Sequence, residues 1–144
     1  MKTSIKIINY FSSEYFQELA LRNDILRKPL GLSFNLNDLT EEERQIHIGA
    51  FNDGLLIGCL LLKPLNSTII QMRQVAVIEK FRAKGIGKDM VLYSEEYSHK
   101  LGYKKIILHA RDTAMKFYEK LNYKKVGKEF IEVLIPHWEM EKFI

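Results

Sequence analysis

Cysteine is nearly absent from this 144-residue chain, Cys59 being the only one. A single thiol excludes an internal disulfide and any zinc site built from several cysteines. It agrees with a reducing compartment, so a cytoplasmic location is expected. Long hydrophobic runs are missing as well. The longest, counting glycine, is Leu55 to Leu62, eight residues, where a bilayer-spanning helix needs roughly 20. The opening MKTSIKIINYFSSEYF is broken by Ser, Asn and Glu and does not read as a signal peptide. No membrane partner is expected. Repeats, low-complexity tracts and an evident linker are also lacking. Neither sign of charge dominates: 22 Lys and Arg against 18 Asp and Glu leave +4. That balance suits an anionic ligand without naming one, and it gives no reason to expect nucleic acid.

What is present is an ordinary globular composition, 47% hydrophobic and 28% charged. The length suits one domain, expected over residues 1–144. Ile5 to Tyr10 reads as a first strand. Ser12 or Ser13 can cap a helix running to about Arg27, with Phe16, Leu19, Ala20 and Leu26 at helical spacing and Pro29 as its stop. Pro29 to Asn37 reads as a loop, and Thr40-Glu41-Glu42-Glu43 has capping-box spacing for a short turn of helix. Strands His47 to Phe51 and Leu55 to Leu62 flank Asn52-Asp53-Gly54, a hairpin signal. A strand follows from Thr68 to Val77. Its apolar parity slips between Ile70/Met72 and Val75/Val77, which predicts a β-bulge near Arg73-Gln74. Gly85 to Leu101 is the clearest helix, with Ile86, Met90, Tyr93, Tyr97 and Leu101 on one face and Gly102 as its end. Lys104 to His109 reads as a strand. Asp112 or Thr113 can cap a short helix to Leu121, and strands Tyr123 to Leu134 and His137 to Phe143 meet at Pro136. The order is that of an α/β or α+β mixed sheet with helices on its faces.

The chemistry concentrates in the stretch from Gln74 to Lys88. A strand runs into a basic loop, and Gly85 and Gly87 stand where a long helix begins. Without side chains there, backbone N–H groups can approach an anion closely. The helix start adds unpaired N–H groups and partial positive charge, an arrangement suited to phosphate. Arg82, Lys84 and Lys88 add full charges. The Walker pattern is absent, because no Ser or Thr follows a GxxxxGK. The dinucleotide fingerprint fails at Met90, where a third glycine belongs. Arg82-x-x-Gly85-x-Gly87 remains.

That pattern resembles motif A of the GNAT family of N-acetyltransferases, whose loop holds the pyrophosphate of coenzyme A. Val75-Ala76-Val77 looks like the family's strand that pairs with the pantetheine arm. Ala114-Met-Lys-Phe117-Tyr118-Glu-Lys-Leu121-Asn122-Tyr123 is similar to the family's second hallmark, A-x-x-F-Y-x-K-L-G-F. The stretch from Lys128 to Met140 resembles a small bacterial branch related to ElaA and YjcF. The resemblance implies a single GNAT-type domain with a mixed, mostly antiparallel sheet splayed between its fourth and fifth strands. It implies acetyl-CoA as co-substrate, no metal, and direct transfer of the acetyl group to a primary amine of a small molecule or peptide. It places the cofactor against Val75, Ala76, Val77, Arg82, Ala83, Lys84, Gly85, Ile86, Gly87, Lys88 and Tyr118. It also makes Tyr118 the acid that protonates the leaving thiolate.

Departures and alternatives stand beside this. Asn122 replaces the family's usual Gly, and Asn tolerates the left-handed backbone. The strand from Thr68 to Val77 carries no Asp or Glu, so no strand carboxylate can serve as base; a water relay, His109, His137 or Glu132 remain open. Tyr118 could instead be a core tyrosine, since Ala114, Tyr118 and Leu121 share a helix face. Lys124, Lys125 and Lys128 read as solvated surface, and Cys59 as core. Structural roles are expected for the histidines, which lack metal-ligand spacing. The acceptor pocket is expected from Leu26 to Asn37, Thr40 to His47 and Val133 to Trp138. The pI of about 9.1 disfavours basic tails as acceptors. A non-catalytic CoA-binding module, peptide N-terminal acetylation and a homodimer are left open.

Overall fold

The computed structural model describes residues 2–144, the side chains of residues 36–38 excepted. Seven strands form one sheet: β1 (Thr3–Ile8), β2 (Ile46–Asn52), β3 (Leu55–Pro64), β4 (Ile69–Val77), β5 (Lys105–Arg111), β6 (Lys124–Glu132) and β7 (Ile135–Phe143). Their spatial order is β1-β2-β3-β4-β5-β7-β6. Neighbours are antiparallel except β4 and β5. Four α-helices connect them: α1 (Ser13–Arg22), α2 (Leu36–Glu41), α3 (Ile86–Lys100) and α4 (Met115–Lys120). The mixed, mostly antiparallel sheet and the element order agree with expectation. Among the described residues, no helix is long and apolar enough to cross a membrane.

Local chemistry explains several joints. Asp53 and Gly54 take φ of 51° and 84°, the paired positive angles a two-residue hairpin demands. Ser12 caps α1 by accepting a hydrogen bond from the Tyr15 amide at 3.2 Å. The bulge expected near Arg73-Gln74 is present. Cys59 pairs with Ala76 but Leu61 with Arg73, so β4 carries one extra residue, and Gln74 absorbs it at φ 55°. Beyond the bulge the strand's faces swap, as the parity slip requires.

The sheet has two covered faces. On one, Ile70, Met72, Ile106, Leu108 and Ala110 pack with Ile86, Met90 and Val91 of α3 and Tyr118 of α4. On the other, Tyr15 and Leu21 of α1 pack with Phe51, Leu56, Cys59 and Ala76. Cys59 is therefore core.

Other expectations need correction. α1 buries Tyr15, Glu18, Leu21 and Arg22, not Phe16, Leu19 and Ala20; Phe16 is exposed. The helical path does not stop before Pro29 but continues as a π segment (Asn23–Arg27) and a 3-10 turn (Lys28–Leu30). It ends at Gly31, φ 70°. Thr40 lies inside α2 and does not start it, and a 3-10 turn (Glu42–Arg44) follows. α3 turns Met90, Val91, Ser94 and Ser98 inward, while Tyr93 and Tyr97 sit half-buried and Leu101 is exposed. Ser94 and Ser98 are both fully buried on that face. No side chain caps the short 3-10 turn Asp112–Ala114 or α4 after it. Pro136 lies within β7, and the β6–β7 turn is Val133-Leu134, at φ 51° and 64°.

Candidate active site

The parallel ladder between β4 and β5 is short. It runs from Ile69 opposite Lys105 to Met72 opposite Leu108 and then stops. Past that point β4 keeps only β3, as far as Val77, and β5 keeps only β7, as far as Arg111. The two strands diverge, and a cavity of about 370 Å³ opens where they part. Its lining includes Arg73, Gln74 and Val75 from β4, His109 and Arg111 from β5, Tyr118 from α4, and Glu132, Val133 and His137 from the last hairpin. Leu26 and Arg27 reach it from the π segment, whose wider turn redirects side chains that regular α-helix would place elsewhere. Of the stretches expected to build an acceptor pocket, Leu26, Arg27, Val133 and His137 are at this cavity.

Alternation assigns each side chain to a face. Met72, Leu108 and Ala110 point toward α3 and α4, so Arg73, His109 and Arg111 point toward the α1 side. Tyr118 belongs to the α3/α4 core. The gap thus has Tyr118 on one side and His109 on the other. Tyr118 is 7% exposed and packs edge-on against Phe117 and Tyr123. Burial pushes its hydroxyl well above the usual phenol range, so it stays protonated at neutral pH.

His109, His137 and Glu132 converge here, although they are far apart in sequence. His109 Nδ1 lies 3.0 Å from Glu132 Oε1, and His109 Nε2 lies 3.8 Å from Glu139 Oε1. His137 Nδ1 donates to the Ile135 carbonyl at 2.7 Å, and its Nε2 is 3.9 Å from Glu132 Oε2. His109 is the more open of the two rings, with 27% of its side chain exposed against 7% for His137. The Glu132 carboxylate on Nδ1 orients the ring and places a proton on that nitrogen.

The loop after β4 holds the glycine pattern. Ala83 and Gly85 have φ of 60° and 82°, and Gly85 stands at the N-cap of α3 with no side-chain cap. The Asp89 amide makes the first helical bond, to the Gly85 carbonyl at 2.9 Å. The amides of Ile86, Gly87 and Lys88 lie in the first turn, where helical partners are missing. A Cβ on Gly87 would sit 3.4 Å from Phe117 Cζ and 3.9 Å from Val77 Cγ2. Val77, the loop and the second hallmark segment therefore meet at one place. Arg82 is partly committed, its Nε donating to the Val77 carbonyl at 3.0 Å, which ties the loop to the end of β4. Val75 and Val77 lie toward the α3 core, and Ala76 toward α1. Lys124, Lys125 and Lys128 are exposed.

A buried ionic network, missed by the sequence reading, lies behind the cavity. Arg22 Nη1 donates to Glu18 at 2.7 Å and to Glu42 at 2.9 Å, and its Nη2 donates to the other Glu42 oxygen. The Tyr15 hydroxyl donates to Glu42 at 2.8 Å. His47 sets Nδ1 against Glu18 at 3.0 Å and Nε2 against the Glu42 carbonyl at 2.9 Å. Both neighbours only accept, so both ring nitrogens carry protons. Burial alone would lower His47, but the bond and charge of Glu18 reverse that and raise it. Burial alone would raise Glu42, but Arg22 holds it below the usual carboxylate range. The two carboxylates and two cations balance. Donor atoms of Glu18, Glu42 and His47 lie within 4.8 Å of one another, yet Arg22 already bonds both carboxylates, so the cluster reads as an ion network. Arg22 Nε also reaches Gln74 Oε1 at 3.3 Å and so holds the bulge. Only the i,i+4 pair of Glu18 and Arg22 signalled it, and such pairs normally face solvent.

Comparison with known proteins bears on the family and the fold. The model of the acetyltransferase (GNAT) family matches residues 7–123. The Bacillus subtilis (strain 168) protein YyaT is 30% identical over 111 residues, covering 77% of this chain and 74% of its own. A candidate N-acetyltransferase from Lactobacillus plantarum superposes with a TM-score of 0.87 over 99% of both chains at 21% identity. Escherichia coli ElaA does so with 0.81 over 98% of this chain and 99% of its own, at 19% identity. An aminoglycoside 6'-N-acetyltransferase solved with coenzyme A gives 0.78 over 97% and 96%, at 20% identity. At these identities the solved structures speak to fold.

Proposed function

Because the chain belongs to the GNAT family of acetyltransferases, we propose that it moves an acetyl group from acetyl-CoA to a primary amine of a small molecule or peptide. The observation that carries this is the opening between β4 and β5, with a buried protonated tyrosine on one side and a carboxylate-held histidine on the other. The loop at the start of α3 fits the cofactor's pyrophosphate, since its N-cap bears no side chain and Ala83 to Lys88 can turn amides outward. Val75 to Val77 form a strand segment that lacks a partner on its β5 side, so its backbone can pair with the extended arm. Bound there, the cofactor supplies an acyl group activated as a thioester.

The protein's own groups handle protons. His109, oriented by Glu132, takes the proton that an attacking amine must lose. The backbone N–H groups on the open side of β4 stabilise negative charge on the acyl oxygen. Tyr118 holds a proton for the departing sulfur, whose thiol has a pKa near ~8.5. Transfer is direct, with no acyl group on the enzyme. Cys59 is fully buried, and burial, with the nearby Glu18 carboxylate, raises its thiol far above the usual range.

A thioester-consumption screen over amines, amino sugars, polyamines and peptides tests the reading, with the acetylated product identified by mass spectrometry. Acetylated product with any acceptor supports it. Cofactor binding without turnover across the whole panel would leave a non-catalytic module instead.

A further inference from the structure

Three arginines enter the cavity beside His109: Arg27 from the π segment, Arg73 from the bulge of β4, and Arg111 from the end of β5. All three are half-buried. Among the described residues none of them forms an ion pair. Arg73 donates only to the neutral amide of Gln45, at 3.3 Å, and Arg27 lies over the Phe34 ring at 4.8 Å. Among the described residues, Glu132 is the only carboxylate lining the cavity, and His109 engages it. Arg22 differs: it sits nearby, fully buried, and bonds two carboxylates. The molecule thus neutralises the arginine that supports the bulge and leaves unneutralised the three that line the space.

A half-buried guanidinium has donors that water satisfies poorly and a charge that low-dielectric walls amplify. Three facing one cavity make a site for an anion. Its position shows which anion. Arg73 and His109 stand one residue beyond the last β4–β5 pair, on the α1 side of the sheet, whereas Ile86 at the start of α3 packs on the opposite side; Arg111 also lines a second opening, which holds Arg82. Arg27 and Arg73 therefore face the acceptor and not the pyrophosphate, while Arg111 stands between the two openings. Resting on the acetyltransferase reading above, we infer that the acceptor is a small amine that also bears an anionic group, a carboxylate or a phosphate. The anion lies against Arg27, Arg73 and Arg111, and this directs the amine to His109. Polycationic amines are disfavoured by the same charges.

The test offers one amine scaffold in matched forms: α-amino acids, their neutral amides, an aminoalkyl phosphate and a polyamine. Each is assayed with acetyl-CoA, and each is also titrated by calorimetry into CoA-saturated protein. A charge-assisted bond that exists only for the anionic form is expected to favour it by about tenfold or more in kcat/KM and in affinity. The carboxylate and phosphate arms show which anion is preferred. Arg27→Gln and Arg73→Gln, made separately, should raise KM for the anionic acceptor and leave KM for acetyl-CoA close to wild type. At least one is expected to fold normally by circular dichroism. Equal or better use of the amide or polyamine overturns the inference, as does a rise in acetyl-CoA KM that matches the rise for acceptor. If nothing in the panel turns over, the acetyltransferase reading fails separately. The binding arm still decides the anion site, and no preference for the anionic ligands there overturns it too.

Discussion

Tyr118 is a core side chain to which the proposed function adds a catalytic role. Its ring contacts Phe117 and Tyr123, and its burial raises the hydroxyl above the usual range. A residue present only for packing would lose little when its oxygen is removed. Tyr118→Phe keeps the ring, so the proposed role predicts a fall in kcat of about 10²–10⁴-fold with acetyl-CoA affinity nearly intact. Steady-state rates within about threefold of wild type, with chemistry rate-limiting, would reduce Tyr118 to packing, far below the range for an acid. His109 is tested in the same way. His109→Gln retains a polar group at the position but cannot accept the amine's proton. Its kcat is expected to fall by a similar ~10²–10⁴-fold, while the same change at His137, whose Nδ1 is tied to the Ile135 carbonyl, should have the smaller effect on kcat. The reverse order would move the base to His137. Neither histidine could be chosen from sequence, because what separates them is which carboxylate or carbonyl each meets across the β5–β7–β6 ladder.

At the scale of elements, the proposed function rests most on the start of α3. Gly85 needs its left-handed backbone but has open space around the missing Cβ, whereas Gly87 faces Phe117 and Val77. The two glycines therefore differ in kind. Gly87→Val puts branched carbons among the first-turn amides and toward Phe117, and should abolish detectable CoA binding by calorimetry with an unchanged circular dichroism spectrum. Normal affinity would remove the loop from the cofactor site. Much of this element was legible beforehand, because glycines at a helix start and a parity slip in a strand are local signals. The inward face of α3 was not. Ser94 and Ser98 rank as polar in any periodicity count, yet both are buried, and the Ser94 hydroxyl is satisfied within the helix by the Val91 carbonyl at 2.7 Å. α1 misled for a related reason. Glu18 and Arg22 look like a solvated pair until Glu42 and His47, 20 to 29 residues away, arrive to neutralise them.

At the scale of the whole molecule, that network joins α1, the turn before β2, and the bulge through Gln74. It also makes stability depend on pH in a definite direction. The folded state raises His47 above its ordinary value near 6.5. Its contribution is then complete below about pH 6.5 and is lost as pH rises through the higher folded value. Glu42 is held below its ordinary value of 4.5, so its contribution is present above that and is lost as pH falls. Melting temperature should therefore decline on the alkaline side, and His47→Gln should flatten that decline while lowering stability at pH 6. Parallel profiles for the two proteins between pH 6 and 9 would show that His47 is not the group responsible.

The most direct measurement is backbone amide NMR during titration with acetyl-CoA. Transfer across the opening between β4 and β5 requires the cofactor to touch both strand and loop. The largest shift changes should fall on Val75 to Val77 and Ala83 to Lys88, with Tyr118 next to them. The amides of β1, the edge strand at the far end of the sheet, should stay unchanged. Saturable binding whose changes map elsewhere, or no binding at millimolar cofactor, would contradict the site and the proposed reaction together.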